Sequence, residues 1–178
     1  MLVFISGGVR SGKSSYGESL AAEIDGGRKI YLATSIVYDE EMTRRIEMHR
    51  EQRSGKGFDT IEKGRNLSEI LDKLHEDDTV LLDCLGNLLA NEMFGVEKNE
   101  SAKRLLEKIV NDICKINDRV ENLIIISNDV FSDGCMYSDS VVEYIDTLAI
   151  IHREIVKIAD RAIECVFGNR MTHKDAAV

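Results

Sequence analysis

Leu2-Val3-Phe4-Ile5-Ser6-Gly7-Gly8-Val9-Arg10-Ser11-Gly12-Lys13-Ser14 is an apolar run that closes on a glycine-rich loop. The loop, Gly7 to Ser14, has the form G-x-x-x-x-G-K-S, and the segment after it has helical spacing. A buried strand, a glycine turn and a helix in that order make a phosphate-binding loop. The glycines let the backbone curl, so that successive N–H groups face phosphate oxygens. Lys13 reaches the terminal phosphates, the Ser14 hydroxyl suits Mg²⁺, and the helix adds its positive end. The alternative, a glycine turn that merely joins strand to helix, fits this placement less well. The chain is expected to bind a nucleoside triphosphate.

The rest of the sequence repeats the strand–helix rhythm. Strands are expected at Lys29–Ala33, Phe58–Glu62, Thr79–Cys84, Leu123–Ser127 and, as the last strand, Ala162–Phe167. Helices are expected at Ser14–Ile24, Asp39–Arg53, Asn66–His75, Leu85–Phe94, Lys103–Val120 and Ser138–Ala159. Strands that are apolar throughout and alternate with helices imply an α/β fold, a mostly parallel sheet with helices on both faces. The phosphate loop makes it a P-loop NTPase type. Residues 1–178 read as one domain, without repeats or linkers. Ligands of such sheets lie at the carboxyl ends of the strands. Gly7–Ser14, Thr34-Ser35, Asp83 and Asn128-Asp129 therefore share one rim.

Net charge is −9, which argues against nucleic acid or an anionic membrane surface as partner. No apolar run approaches a membrane span. Cys84, Cys114, Cys135 and Cys165 form no C-x-x-C pair. Cys84 and Cys165, in apolar strand-like runs, read as buried free thiols, and a reducing, cytoplasmic compartment is expected.

Asp83 ends an apolar strand, where a carboxylate holds Mg²⁺ beside Ser14 or else caps the helix that begins at Leu85. Both roles stay open. The Asp39–Arg53 segment puts Met42, Arg45, Ile46, His49 and Arg53 on one helical face. His49, between two arginines that disfavour its protonated form, is either a surface residue or a nucleophile toward an α-phosphorus. His75, His152 and His173 read as surface or cap residues.

Several stretches together resemble one family. They are the phosphate loop, Tyr31-Leu32-Ala33-Thr34-Ser35, Asp39-Glu40-Glu41-Met42, Arg45 to Arg50, Phe58 to Glu62, Leu82-Asp83-Cys84-Leu85, Asn91 and Ser127-Asn128-Asp129-Val130. The family is the bifunctional adenosylcobinamide kinase / adenosylcobinamide-phosphate guanylyltransferase of cobalamin biosynthesis. The order and spacing hold over roughly residues 1–130. Beyond them, Phe131 replaces the family's glycine, and Ala149-Ile150-Ile151-His152 replaces its Gly-Arg-x-Asn.

The resemblance implies phosphorylation of adenosylcobinamide by ATP or GTP, then transfer of GMP from GTP to the new phosphate. It implies a homo-oligomer, a trimer, and Mg²⁺ is the cofactor already expected from Ser14 and Asp83. It makes His49 the guanylylated nucleophile and Lys13 the cation on the transferred phosphoryl group. Gly7, Gly8, Val9, Arg10, Ser11, Gly12, Lys13, Ser14, Ala33, Thr34, Ser35, Arg50, Glu51, Gln52, Arg53, Glu62 and Asp83 match its nucleotide-binding positions. Ser14 and Asp83 are the metal candidates. Two other readings stay open: the same nucleotide site with one activity or another acceptor, and a non-catalytic nucleotide-binding regulator.

Overall fold

The structure is a computed structural model that describes residues 1–36, 55–95, 100–131 and 136–176. The expected helix at Asp39–Arg53, with His49 on it, lies outside the described residues.

The strands are β1 (Leu2–Gly7), β2 (Lys29–Ala33), β3 (Phe58–Glu62), β4 (Thr79–Asp83), β5 (Asn122–Asn128), β6 (Arg161–Val166) and β7 (Asn169–Asp175). The α-helices are α1 (Lys13–Glu23), α2 (Leu85–Phe94), α3 (Ala102–Arg119) and α4 (Asp139–Ile158). One sheet runs β3-β2-β4-β5-β1-β6-β7. All neighbours are parallel except β6 and β7.

Period-two alternation divides the core between the two faces of the sheet. Leu2 and Phe4 of β1 join one cluster, with Leu85, Leu88 and Leu89 of α2, Ile109 and Ile113 of α3, and Leu148 and Ile151 of α4. Val3 and Ile5 join the other cluster, with Ala21, Tyr16 and Leu20 of α1 and Leu81, Ile124 and Ile126 of the central strands. Gly17 lets α1 lie close to the sheet, since a Cβ there would come 3.0 Å from Ile126 and 3.1 Å from Leu81. The expected mostly parallel sheet with helices on both faces is present.

Two elements differ from expectation. The segment expected as a helix over Asn66–His75 is a 3₁₀ helix, Leu67–Lys73. Its ends are held from outside: the Asn66 N–H donates to Glu92 at 2.8 Å, and Arg28 donates to the Lys73 carbonyl at 3.0 Å. A 3₁₀ helix rises about 2.0 Å per residue against about 1.5 Å for an α-helix, so it spans the same residues at greater length. Leu67 and Ile70, three apart, still share the buried face.

The second difference is β7. The expected last strand, Ala162–Phe167, is followed by another. Phe167-Gly168 is a two-residue turn with φ of 49° and 81° that leads into an antiparallel partner. Positive φ at both turn positions matches the twist of the flanking strands. The charged Asn-Arg-Met-Thr-His-Lys-Asp run hides the strand because it is an exposed edge, with no apolar face to show an alternation.

Register fixes the rim. Gly7 lies opposite Asn128 on one side and Cys165 on the other, and Asp83 lies opposite Ala33 and Ile126. β5 therefore separates β4 from β1. At a strand spacing of about 4.8 Å, the Asp83 strand runs roughly 10 Å from the phosphate-loop strand.

Candidate functional site

The phosphate loop is shaped by its backbone. Arg10 and Gly12 take left-handed conformations, with φ of 60° and 91°. Gly7 has no room for a side chain, because a Cβ would come 2.5 Å from the Cys165 carbonyl oxygen and 2.6 Å from Ser11 Oγ. No side chain caps the start of α1, where Gly12 is the capping residue. Its first N–H groups are left to a ligand, and an anion is what they favour. Lys13 is 8% exposed, and its Nζ donates to the Gly8 carbonyl at 3.1 Å, across the mouth of the loop.

A cavity of about 200 Å³ opens beside this loop. Lys13 and Ser14 enter it from α1, Tyr31, Ala33 and Ser35 from the end of β2, and Asp83 from β4. Glu62, Cys84, Asn87 and Asn128 complete the lining. Tyr31 donates its hydroxyl to Asp83 Oδ2 at 2.6 Å, so one carboxylate oxygen is held and the group is aimed. Cys84, not Asp83, is the N-cap of α2. The capping alternative for Asp83 is therefore excluded. Burial pushes the Cys84 thiol up to about 11, with the Asp83 charge acting the same way, so this cavity-lining sulfur stays protonated at neutral pH.

Thr34 is placed differently from the expected ligand contact. It is fully buried behind the cavity wall, and its hydroxyl donates to the Cys84 carbonyl at 2.7 Å and accepts from the Cys84 N–H at 2.8 Å. Its own N–H donates to the Asp83 carbonyl at 3.1 Å. Thr34 thus ties the ends of β2 and β4 together and sets the position of Asp83. Ser35 beside it does face the cavity and accepts from Asn87 Nδ2 at 2.9 Å. Asn91, one helical turn on, donates to the carbonyls of Thr34 and Gly64.

Val9 stands on the other flank of the loop, 83% exposed, against a cleft of about 430 Å³ with Asp129, Val130, Tyr137, Val141, Tyr144 and Ile145. Arg10 is exposed at the loop tip. Ser11 is buried, and its Oγ has no hydrogen-bond partner among the described residues. His49 and Arg50, Glu51, Gln52 and Arg53 lie outside the described residues.

Sequence reasoning misses Tyr31, Asn87 and Cys84 as cavity residues and places Asn128 only on the rim. Signals exist: Tyr31 shares a face with Ala33 two residues on, and Asn87 and Asn91 are four apart on the helix that follows Asp83.

His152, expected at the surface or at a cap, is in neither place. Its Nε2 lies 2.7 Å from Ser127 Oγ, and its ring meets Phe4 and Phe131 edge-on at 4.9 and 5.3 Å. Burial holds it down to about 4, against the pull of Asp129, so it is neutral at pH 7. A helical face written Leu148, Ile151, Ile155 hides a polar residue that finds its partner on the strand it packs against.

Ser14 and Asp83 are hard oxygen donors lining one cavity, the donor type Mg²⁺ takes with substrate phosphates. Among the described residues, the one tight cluster of His, Cys, Asp and Glu is His75, Asp77 and Asp78. It sits at the opposite end of β4, where Asp78 is already paired with Arg28 at 2.7 Å. No helix among the described residues is long and apolar enough to cross a membrane.

Comparison with known proteins agrees with this picture. The family model for cobinamide kinase / cobinamide phosphate guanyltransferase (CobU) matches residues 3–173. The bifunctional adenosylcobalamin biosynthesis protein CobP of Pseudomonas aeruginosa is 30% identical over 171 residues, 96% of this chain and 95% of that protein. The bifunctional adenosylcobalamin biosynthesis proteins CobU of Escherichia coli and Salmonella typhimurium are 36% and 35% identical. Those matches cover 53% and 54% of this chain, and the chain spans about half the length of each, 51% and 52%. Among solved structures, a prototypical ATPase from the type III secretion system of pathogenic bacteria superposes with a TM-score of 0.56 at 12% identity, over 92% of this chain and 50% of that one. A second solved ATPase domain gives 0.51 at 15% identity, over 92% and 68%. With these two the chain shares a P-loop NTPase fold.

Proposed function

The chain belongs to the cobinamide kinase / cobinamide phosphate guanyltransferase family, and from that premise we propose that it carries out both reactions the family name describes. In the first, the hydroxyl oxygen of adenosylcobinamide attacks the γ-phosphorus of ATP or GTP. The bond to the bridging oxygen breaks, the nucleoside diphosphate leaves, and the hydroxyl proton goes to solvent. In the second, His49 attacks the α-phosphorus of GTP and pyrophosphate leaves. A phosphate oxygen of adenosylcobinamide phosphate then displaces the histidine and takes the guanylyl group.

The observation that carries the reading is the convergence of Lys13, Ser14, Asp83 and Asn128 on one cavity from three separate elements. Phosphoryl transfer asks a protein mainly for positioning and charge neutralisation. Lys13 supplies the cation, the α1 N–H groups the anion cradle, and the Asp83 carboxylate with the Ser14 hydroxyl the seat for Mg²⁺. Bound there, Mg²⁺ would neutralise charge on the phosphate oxygens. Gly7–Gly12 hold the phosphates, and Ala33, Ser35 and Glu62 face the same space. Guanylyl transfer needs a nucleophile besides. His49 takes that role on the family resemblance, with Arg50, Glu51, Gln52 and Arg53 as its nucleotide-binding neighbours. We further propose one domain over residues 1–178, a cytoplasmic homo-oligomer, trimeric as the resemblance implies, and small-molecule substrates only.

Both half-reactions test this in wild type and His49→Ala. Incubation with α-³²P-GTP is expected to leave an acid-labile label on wild type and none on the variant, while the variant still phosphorylates cobinamide. Covalent GMP on His49→Ala would show that another group is the nucleophile. Loss of both reactions in a folded, GTP-binding variant would overturn the division of labour.

A further inference from the structure

A further cavity adjoins the phosphate loop on its β6 side, away from Asp83. About 240 Å³ in volume, it lies between the start of α1 and the β6–β7 hairpin, and Ser11, Gly12, Ser15, Tyr16, Gly168 and Arg170 line it. The residues that open α1 thus divide: Lys13 and Ser14 face the Asp83 cavity, while Ser15 and Tyr16 face this one. A phosphate chain gripped by the loop has a nucleoside-sized space at either end.

The hairpin is fastened to the loop. The Gly168 N–H donates to the Ser11 carbonyl at 3.1 Å, and a Cβ on Gly12 would come 4.0 Å from Gly168 Cα. Arg170 lays its guanidinium over the Tyr16 ring, 4.1 Å from the centroid. Such a stack leaves the outer face of a planar cation available to another planar π system. Phe167 stands at the hairpin tip with 95% of its surface exposed. A cation and an uncovered aromatic beside a phosphate loop, on a chain of net charge −9, match an anion that carries a flat base.

We propose that this cavity binds the nucleoside of a purine nucleoside triphosphate, so that the single phosphate loop serves two nucleosides from opposite sides. The inference rests on the two activities proposed above. With the base at Tyr16 and Arg170, the α-phosphate lies on the hairpin side, and the terminal phosphate points toward Lys13 and Asp83. That is the pose for γ-phosphoryl transfer. With the base in the Asp83 cavity the chain runs the other way and offers its α-phosphorus there, the pose for guanylyl transfer. One loop then supports two reactions at two different phosphorus atoms.

Photolabelling of the full chain with 8-azido-ATP and with 8-azido-GTP, followed by peptide mapping, tests the assignment. Label from 8-azido-ATP is expected on the hairpin spanning residues 161–175 or on Tyr16, with part of the 8-azido-GTP label near Tyr31 to Glu62. In parallel, Arg170→Ala is expected to weaken binding of a fluorescent N-methylanthraniloyl-ATP about five- to tenfold. Arg170→Lys should recover only part of this, since it restores charge but not the planar surface. ATP label confined to the Ala33–Asp83 side, or unchanged affinity in Arg170→Ala, would overturn the proposal. Cobinamide phosphorylation by wild type separates the two readings. With no phosphorylation but a labelled hairpin, the activity fails and the site stands. With phosphorylation but no hairpin label, the site fails and the activity stands.

Discussion

Two neighbouring strands, β4 and β5, deliver a carboxylate to the same rim and use it in opposite ways. At the end of β4, Asp83 faces the cavity with one oxygen held by the Tyr31 hydroxyl. At the end of β5, Asn128 faces that cavity, and Asp129 turns to the apolar cleft, where its Oδ1 accepts from the Phe131 N–H at 3.1 Å. What locks each strand end differs too. Thr34 ties β4 to β2 with two buried hydrogen bonds, whereas Ser127 of β5 is held by His152 of α4. A carboxylate at the end of one strand and one just past the end of its neighbour therefore do not share the same surroundings. The neighbour that locks the backbone, and the face on which the side chain emerges, decide whether a carboxylate lines the cavity or finishes a turn.

The largest effect should come from Asp83→Asn. It keeps shape and removes the charge from the cavity that Ser14 also lines, so Mg²⁺-dependent turnover is expected to fall about a hundred- to a thousandfold, with nucleotide affinity changing far less. Steady-state rates across a Mg²⁺ titration check this. Coincidence of wild type and variant at all concentrations would make Asp83 no different in kind from Asp129.

A smaller, pH-dependent effect is expected at the β5 lock. His152 is held at about 4 in the folded protein, against about 6.5 for an ordinary histidine. Between these values the unfolded chain binds a proton that the folded chain does not. Stability is therefore intact above pH 6.5 and is lost as pH falls toward 4. The full shift corresponds to about 3 kcal/mol, and the partly exposed ring lowers this to roughly 1–2 kcal/mol. His152→Asn keeps a hydrogen-bonding partner for Ser127 and does not titrate. Urea midpoints measured from pH 7 to 4.5 should fall less steeply in the variant. Parallel curves would mean that His152 takes up its proton without strain.

The smallest effect is expected from Asp129→Ala, which removes the turn contact to Phe131 at a cost of about 0.5–1 kcal/mol. Cobinamide phosphorylation should stay within about threefold of wild type. A hundredfold loss of rate with an unchanged melting temperature would erase the contrast between the two carboxylates and give Asp129 a part in the reaction.

The local signals are legible residue by residue. Apolar runs ending in glycine or aspartate mark β1 and β4, alternating elements mark the parallel sheet, and Gly7 to Ser14 mark the glycine-rich turn from β1 into α1. Each depends on sequence neighbours, since a strand's apolar run and a loop's glycines state their own conformation. Strand order is another matter. Placing β5 between Asp83 and the phosphate loop, folding the polar Asn169–Asp175 run back onto β6, packing His152 against Ser127 and tying the Thr34 hydroxyl to Cys84 all bring together residues far apart in the chain. Burial and pairing of such residues are properties of the packed sheet, in which a polar side chain is satisfied by whichever partner the fold carries to it.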